Sequence, residues 1–188
     1  LAYWDRRAEG YDRQSRSPDS RAWRGELLRW LAARGALQPG FRVLDIGAGP
    51  GSFALPLAAR VRRVTALEPA AGMAEILRRR IRQRALRNLD VDQRAWGQVR
   101  LEREGWAGAF DLVFASMSPG VDGPRALERM NRASRGFCFL GRGLGRHFGG
   151  SSHRFVLSVR RQRPQPPERG HQRSERKLRC RHVIRSPV

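Results

Sequence analysis

Phe41-Arg42-Val43-Leu44-Asp45-Ile46-Gly47-Ala48-Gly49-Pro50-Gly51 is the stretch that decides the fold of this chain. Its first six residues form a short apolar run, the pattern of a buried strand. Three glycines at alternate positions follow directly, and Ser52 to Arg60 is apolar enough for a helix. Strand, glycine turn and helix in that order let the backbone approach a ligand closely. Glycine has no Cβ, tolerates positive φ, and leaves N–H groups free to face an anionic or polar group. Pro56 falls early in the helix, where a missing N–H costs least.

Outward from this stretch the pattern repeats. Val61 to Leu67 reads as a second strand, ending at Glu68-Pro69. A helix follows, with Met73, Ile76, Leu77 and Ile81 on one face and Arg78, Arg79, Arg80 and Arg82 around the rest. Leu89 to Trp96, Phe110 to Ala115 and Gly136 to Leu140 supply further strands, with a helix over Pro124 to Arg135. Upstream, Trp23, Leu27, Leu28, Trp30 and Leu31 have helical spacing, with Ser20 as N-cap. Residues 1–18 read as a short helix or arm closed by a Ser17-Pro18 turn. Alternating strands and helices imply parallel βαβ units with right-handed crossovers. The expected fold is an α/β open doubly wound sheet, mostly parallel, with its ligand at the carboxyl ends of the strands.

A dinucleotide fingerprint would need glycine at position 52, which is Ser52. The pattern Asp45-x-Gly47-x-Gly49-x-Gly51 instead resembles motif I of class I S-adenosylmethionine-dependent methyltransferases. Glu68 lies 21 residues after Gly47, and a carboxylate there accepts ribose hydroxyls in either cofactor class. Tyr3-Trp4-Asp5 through Tyr11-Asp12 looks like the opening arm of many small-molecule methyltransferases. Val64 to Pro69 with Met73, Phe110 to Ser116, and Gly136 to Leu140 are similar to the family's later strand motifs. The likeness covers about residues 1–143. It implies an S-adenosylmethionine site formed by Asp45, Gly47, Ala48, Gly49, Gly51, Glu68, Met73, Trp96 and Ser116. Blander roles compete at several of these. Asp45 can cap the turn, Glu68 can simply end a strand, Met73 can belong to an apolar helix face, and Trp96 can be a core residue rather than a platform for adenine. Ser116-Met117-Ser118-Pro119 lies where the family places substrate-facing residues. It lacks the Asn/Asp-Pro-Pro-Tyr pattern of enzymes that modify amino groups of nucleic acids.

The chemistry implied is methyl transfer by orientation of an acceptor, and the sequence identifies no catalytic base. A small-molecule acceptor is expected. An RNA methyltransferase and a non-catalytic nucleoside-binding remnant are the alternatives.

Charge bears on that choice. The net charge is +21, from 38 basic and 17 acidic residues, and all the basic residues but Lys177 are arginine. Such a skew fits GC-rich coding bias, so the charge alone does not argue for nucleic acid. Residues 145–188 carry +10 of it with few apolar residues. They read as a basic, low-hydrophobicity tail beyond a domain at 1–144: a polyanion-binding arm, or a disordered or frame-shifted end, the latter preferred. The family's sixth and seventh strands are not recognisable, so the C-terminal edge of the sheet is expected to be incomplete. Phe155 to Val159 is the only candidate for one of them. No run is long and apolar enough to span a membrane, and the start lacks the apolar core of a signal peptide. Cys138 and Cys180 give no disulfide framework and no metal site, so a reducing cytoplasm is expected. Cys138 reads as a small buried hydrophobe. His147 and His153 are not assigned as bases.

Overall fold

The structure, a computed structural model, describes residues 1–143 and the strands 153–159 and 183–185. Five parallel strands form its centre: β1 (Arg42–Ile46), β2 (Arg63–Leu67), β3 (Leu89–Asp92), β4 (Phe110–Ser116) and β5 (Ser134–Gly143). Two antiparallel strands, β6 (His153–Val159) and β7 (Val183–Arg185), extend the sheet beyond β5. The spatial order is β3-β2-β1-β4-β5-β6-β7. The expected α/β doubly wound sheet is therefore present. Chain order reverses between β1 and β4, and this switch point opens a crevice at the carboxyl ends of the strands.

The edge differs in detail from the expectation. β6 contains Phe155 to Val159, the one segment marked as a candidate strand, and it pairs with β5 along its whole length. β7 is a three-residue stub against β6, in a stretch where the sequence offered no strand. Both belong to the segment assigned to a tail. Their pairing arises because a long β5 has an open edge that needs backbone partners.

Alternation along the strands builds two cores. On β4, Leu112 and Phe114 join one cluster, while Val113 and Ala115 join the other. The first cluster packs against α2 (Pro18–Ala33) and α3 (Ala54–Ala58), the second against α5 (Gly123–Ala133) and the 3-10 turn Trp96–Gln98. Phe114 stacks on Phe139 with ring centroids 4.8 Å apart. Cys138 is buried in the second core, as its strand context implied.

Helix α2 corrects one local expectation. Its cap is Ser17, whose Oγ accepts from Ser20 N–H at 3.2 Å, and Pro18 opens the helix. Proline at the first helical position presets φ and loses no needed donor, so the helix begins before Ser20. Helix α1 (Ala2–Ser15) lies on α4 (Ala71–Gln83), with Ala8, Trp4 and Tyr11 packed on Met73 and Ile76.

Candidate functional site

A cleft of about 330 Å³ opens above the carboxyl ends of β1, β2 and β4. Its floor is the turn after β1. Gly47 N–H and Ala48 N–H both donate to the Leu67 carbonyl, at 2.8 and 3.2 Å, which bends the chain out of the sheet. Gly47 then takes φ +73° and Gly51 φ +90°. A Cβ on Gly47 would collide with Ser118, and one on Gly51 would come within 2.5 Å of Leu77. Gly47 thus keeps the cleft open, whereas Gly51 lets the turn pack on α4.

Glu68 ends β2 and is only 7% exposed. Its Oε2 accepts from Gly49 N–H at 2.7 Å and its Oε1 from Ala70 N–H at 2.8 Å. The acid therefore clips the glycine turn to the start of α4. Burial pushes its pKa up, the two N–H donors oppose that, and the charge of Asp5 adds to it. A carboxylate has about four lone-pair sites, so it retains capacity for further donors.

Asp45 sits below the turn at 2% exposure, with no hydrogen-bond partner for Oδ2 among the described residues. Burial, and then the nearby Glu68 charge, push its pKa up to about 8 against an opposing Ala54 N–H. Two carboxyls this close and this dry favour one shared negative charge over two.

Six of the residues singled out in the sequence line the cleft: Gly47, Gly49, Glu68, Met73, Trp96 and Ser116. Asp45, Ala48 and Gly51 do not line it. They lie behind the turn and shape it. Met73 lines the cleft and also packs under α1. Trp96 does likewise: it is 3% exposed in the second core, and Arg129 sits over its ring at 5.0 Å. Ser116 ends β4 with a buried Oγ that has no partner among the described residues.

Helix α1 supplies wall residues to which the sequence assigned no site role. Trp4 and Tyr11 face the cleft with ring centroids 5.9 Å apart. Their seven-residue spacing marks one helix face and was the available signal. Burial raises the Tyr11 pKa, with Arg24 opposing and Glu68 and Asp45 adding. Asp5 Oδ1 accepts from Gly72 N–H at 2.8 Å. Asp12, 3% exposed, pairs with Arg80, and Arg80 also donates to the Pro50 carbonyl at 3.1 Å. These contacts pin α1 to α4 and to the glycine turn. On the opposite wall Met117 takes φ +58°, a conformation no sequence pattern announced.

Residues 43–135 match the family described as methyltransferase domain. The chain carries a methyltransferase domain of the S-adenosylmethionine-dependent class I kind. The match begins in β1 and ends in β5, so the domain's signature coincides with the parallel strands that frame the cleft. Among curated proteins, a 23S rRNA (uracil-C5)-methyltransferase from Alkalilimnicola ehrlichii is 38% identical over 95 residues, 48% of this chain and 19% of that protein. An uncharacterized protein from Haemophilus influenzae is 33% identical over 109 residues, 56% of this chain and 38% of that protein. The chain thus spans well under half the length of these curated relatives. Phosphoethanolamine N-methyltransferase 1 from Haemonchus contortus has a similar structure, with TM-score 0.60 at 21% identity over 74% of this chain and 30% of that one. So does a putative S-adenosylmethionine-dependent methyltransferase from Methanococcus maripaludis, with TM-score 0.59 at 18% identity over 73% and 63%. At those identities the likeness is one of fold. No group of three or more potential metal ligands and no helix able to cross a membrane occurs among the described residues.

Proposed function

We propose that this chain binds S-adenosylmethionine in the cleft and transfers its methyl group to a small-molecule acceptor. One observation carries the reading: a buried carboxylate, Glu68, joined at 2.7 Å to a glycine turn at the mouth of the β1–β4 crevice. The residues fit the cofactor's groups. Glu68 has spare lone pairs for two ribose hydroxyls. Gly47 and Gly49 offer bare backbone for close approach. Ala48 and Gly51 hold the turn's shape. Asp45, buried behind the turn, holds the shape of the turn that receives the ligand. Met73 and Trp96 provide apolar surface for the adenine, and the Ser116 hydroxyl faces the reacting end.

When bound, the cofactor would supply an activated, electrophilic methyl group on a sulfonium sulfur. The protein's own share is orientation and the exclusion of water, which α1 and the Met117–Gly120 wall supply. No catalytic base is assigned, and the acceptor's proton passes to solvent. The described residues that line the cleft fall within 1–120, and the proposed cofactor-binding unit is 1–144, with residues 145–188 contributing little to the site. A chain ending at Arg142 should then keep the cofactor affinity of the full chain.

A titration with labelled S-adenosylmethionine tests the reading. Binding followed by label transfer supports it. Binding without turnover on any acceptor favours a nucleoside-binding remnant, and no binding overturns both. RNA is the second candidate acceptor, favoured by the 38% identity to an rRNA methyltransferase over half the chain and by the basic composition. RNA binding that merely reflects composition should fall steeply with salt and show no preference for sequence or structure.

A further inference from the structure

Arg24 stands out by its register. Helix α2 turns Leu27, Leu28 and Leu31 into the core. Positions 24, 27, 28 and 31 share one helix face, so an arginine takes the first place in a stripe that is otherwise leucine. Its neighbour Trp23 packs edge-on against Phe53, ring centroids 5.6 Å apart, and holds this turn of α2 on the body of the domain. Arg24 is half-buried. Burial lowers its pKa, the nearby Tyr11 phenol opposes that, and the positive charges of Arg21 and Arg80 add to it. Arg80 is already paired with Asp12. Neither Arg24 nor the Tyr11 hydroxyl has a hydrogen-bond or ion-pair partner among the described residues. A cation held part-way out of water among like charges gains most from an anion that arrives.

Tyr11 connects that cation to the glycine turn. It lines the cleft, its ring braced by Trp4, and its Cε1 lies 3.8 Å from the point where Gly49 would carry a Cβ. Its phenol feels the charge of Arg24 as well as those of Glu68 and Asp45. With Glu68 given to the ribose, the next groups along the turn are Gly49 and Tyr11, and these remain for the cofactor's methionyl end. That end carries a carboxylate. A planar guanidinium beside a phenol offers N–H donors in a fork together with an O–H donor, a set that suits a carboxylate.

We infer that Arg24 and Tyr11 form the subsite for the carboxylate of the cofactor's methionyl end, so that α1 and α2 read the amino-acid part of the ligand. Both residues precede the segment 43–135 that matches the methyltransferase family. The subsite rests on the proposed cofactor site and deepens it, since the residues named there take the ribose and the adenine, shape the turn or face the reacting end, and leave the carboxylate.

The test uses the full chain and two ligands that differ only in the carboxylate: S-adenosylhomocysteine and its decarboxylated analogue, in which a hydrogen replaces that group. Calorimetry measures both affinities. The wild type should favour S-adenosylhomocysteine by about tenfold or more, as hydrogen bonds to a charged group do. Arg24→Gln should lower the affinity for S-adenosylhomocysteine by about the same factor and leave that for the analogue unchanged, so that the preference disappears. Arg24→Lys keeps the charge without the fork and should restore part of it. Tyr11→Phe should weaken the preference without abolishing it. A residue that only packed α2 on the domain would move both affinities together. Equal wild-type affinities overturn the inference, and this arm needs no variant to fold. So does a preference that survives Arg24→Gln, given a melting curve that shows the variant folded. If neither compound binds the wild type, the cofactor reading itself fails, and the subsite with it.

Discussion

The two ends of the sheet handle polar groups in opposite ways. At the amino end, Asp111 opens β4 with every contact satisfied: Oδ2 accepts from Arg42 N–H at 2.7 Å, and Arg135 donates to both oxygens at 2.7 and 2.9 Å. Nearby, Asn88 donates to the carbonyls of Ala58 and Val61. At the carboxyl end, Asp45 and Ser116 each bury an oxygen without a partner among the described residues; positive φ occurs at both ends, at Gly47, Gly49, Gly51 and Met117 here and at Gly35, Ala85 and Gly108 there. Buried polar atoms are normally paired, so the two unpaired oxygens support the ligand site proposed at the carboxyl end. The contrast between the two ends therefore lies in unpaired buried oxygens and not in backbone strain.

Four experiments would break or sharpen that comparison. The largest effect belongs to Gly47→Val, which combines a disallowed φ with a collision at Ser118. Calorimetry should show S-adenosylhomocysteine affinity reduced by roughly 100-fold or more, which is about 2.7 kcal/mol or more. Measurable binding near the wild-type value would remove the glycine turn from the site.

Next come the two aspartates, whose titrations run in opposite senses. The pKa of Asp45 is pushed up to about 8 by burial, so the folded chain holds a proton that the unfolded chain releases near pH 4. Stability therefore falls as pH rises from about 4 toward 8, by at most about 1.4 kcal/mol per unit. Asp45→Asn should flatten that slope in melting curves and gain on the wild type as pH rises. For Asp111, burial alone would raise the pKa, but Arg135 and the Arg42 N–H outweigh it and hold it low. Its contribution is present above the ordinary carboxylate pKa and lost as pH falls through the lowered one. Asp111→Asn should thus matter at neutral pH and vanish in strong acid. Parallel pH profiles for the two variants would contradict the contrast between the rims.

Glu68→Ala should weaken cofactor binding by about 1.5–3 kcal/mol, the range for hydrogen bonds to a charged group. Because burial raises the Glu68 pKa, wild-type affinity should hold at higher pH and decline as the acid protonates on lowering pH. An affinity independent of pH in the wild type would argue that Glu68 only clips the turn. The smallest effect is expected at Arg63→Ala. Its pair with Asp90 is more than half exposed on both sides, and stability should change by no more than about 1 kcal/mol.

Much of this was legible in the sequence, and for reasons that differ by residue. The glycine turn and Glu68 lie within one βαβ unit, so local spacing was enough to pair them. Trp96 and Met73 were ambiguous in the sequence, and in the fold each lines the cleft and packs on a core, since a wall residue also has a back. The work of Asp5 and Asp12 was not legible. Their partners Gly72 and Arg80 lie 67 and 68 positions away, and no periodicity links positions so distant. The positive φ of Met117 has no glycine or asparagine to announce it. β7 is too short to show alternation, and it pairs with β6, the strand added at the edge of β5.

The place of Arg80 has a consequence at the level of the gene. At exposed positions such as Arg79 and Arg82, arginine reaches only an exposed partner, and another polar residue would serve. Arg80 instead donates in two directions at once, to a buried carboxylate on α1 and to a main-chain carbonyl of the glycine turn. A lysine carries the same charge but not the planar fork. Mutational drift that is harmless at Arg79 or Arg82 would here loosen the first helix from the loop beneath it, so the same amino acid is filler at one position and a joint at the next.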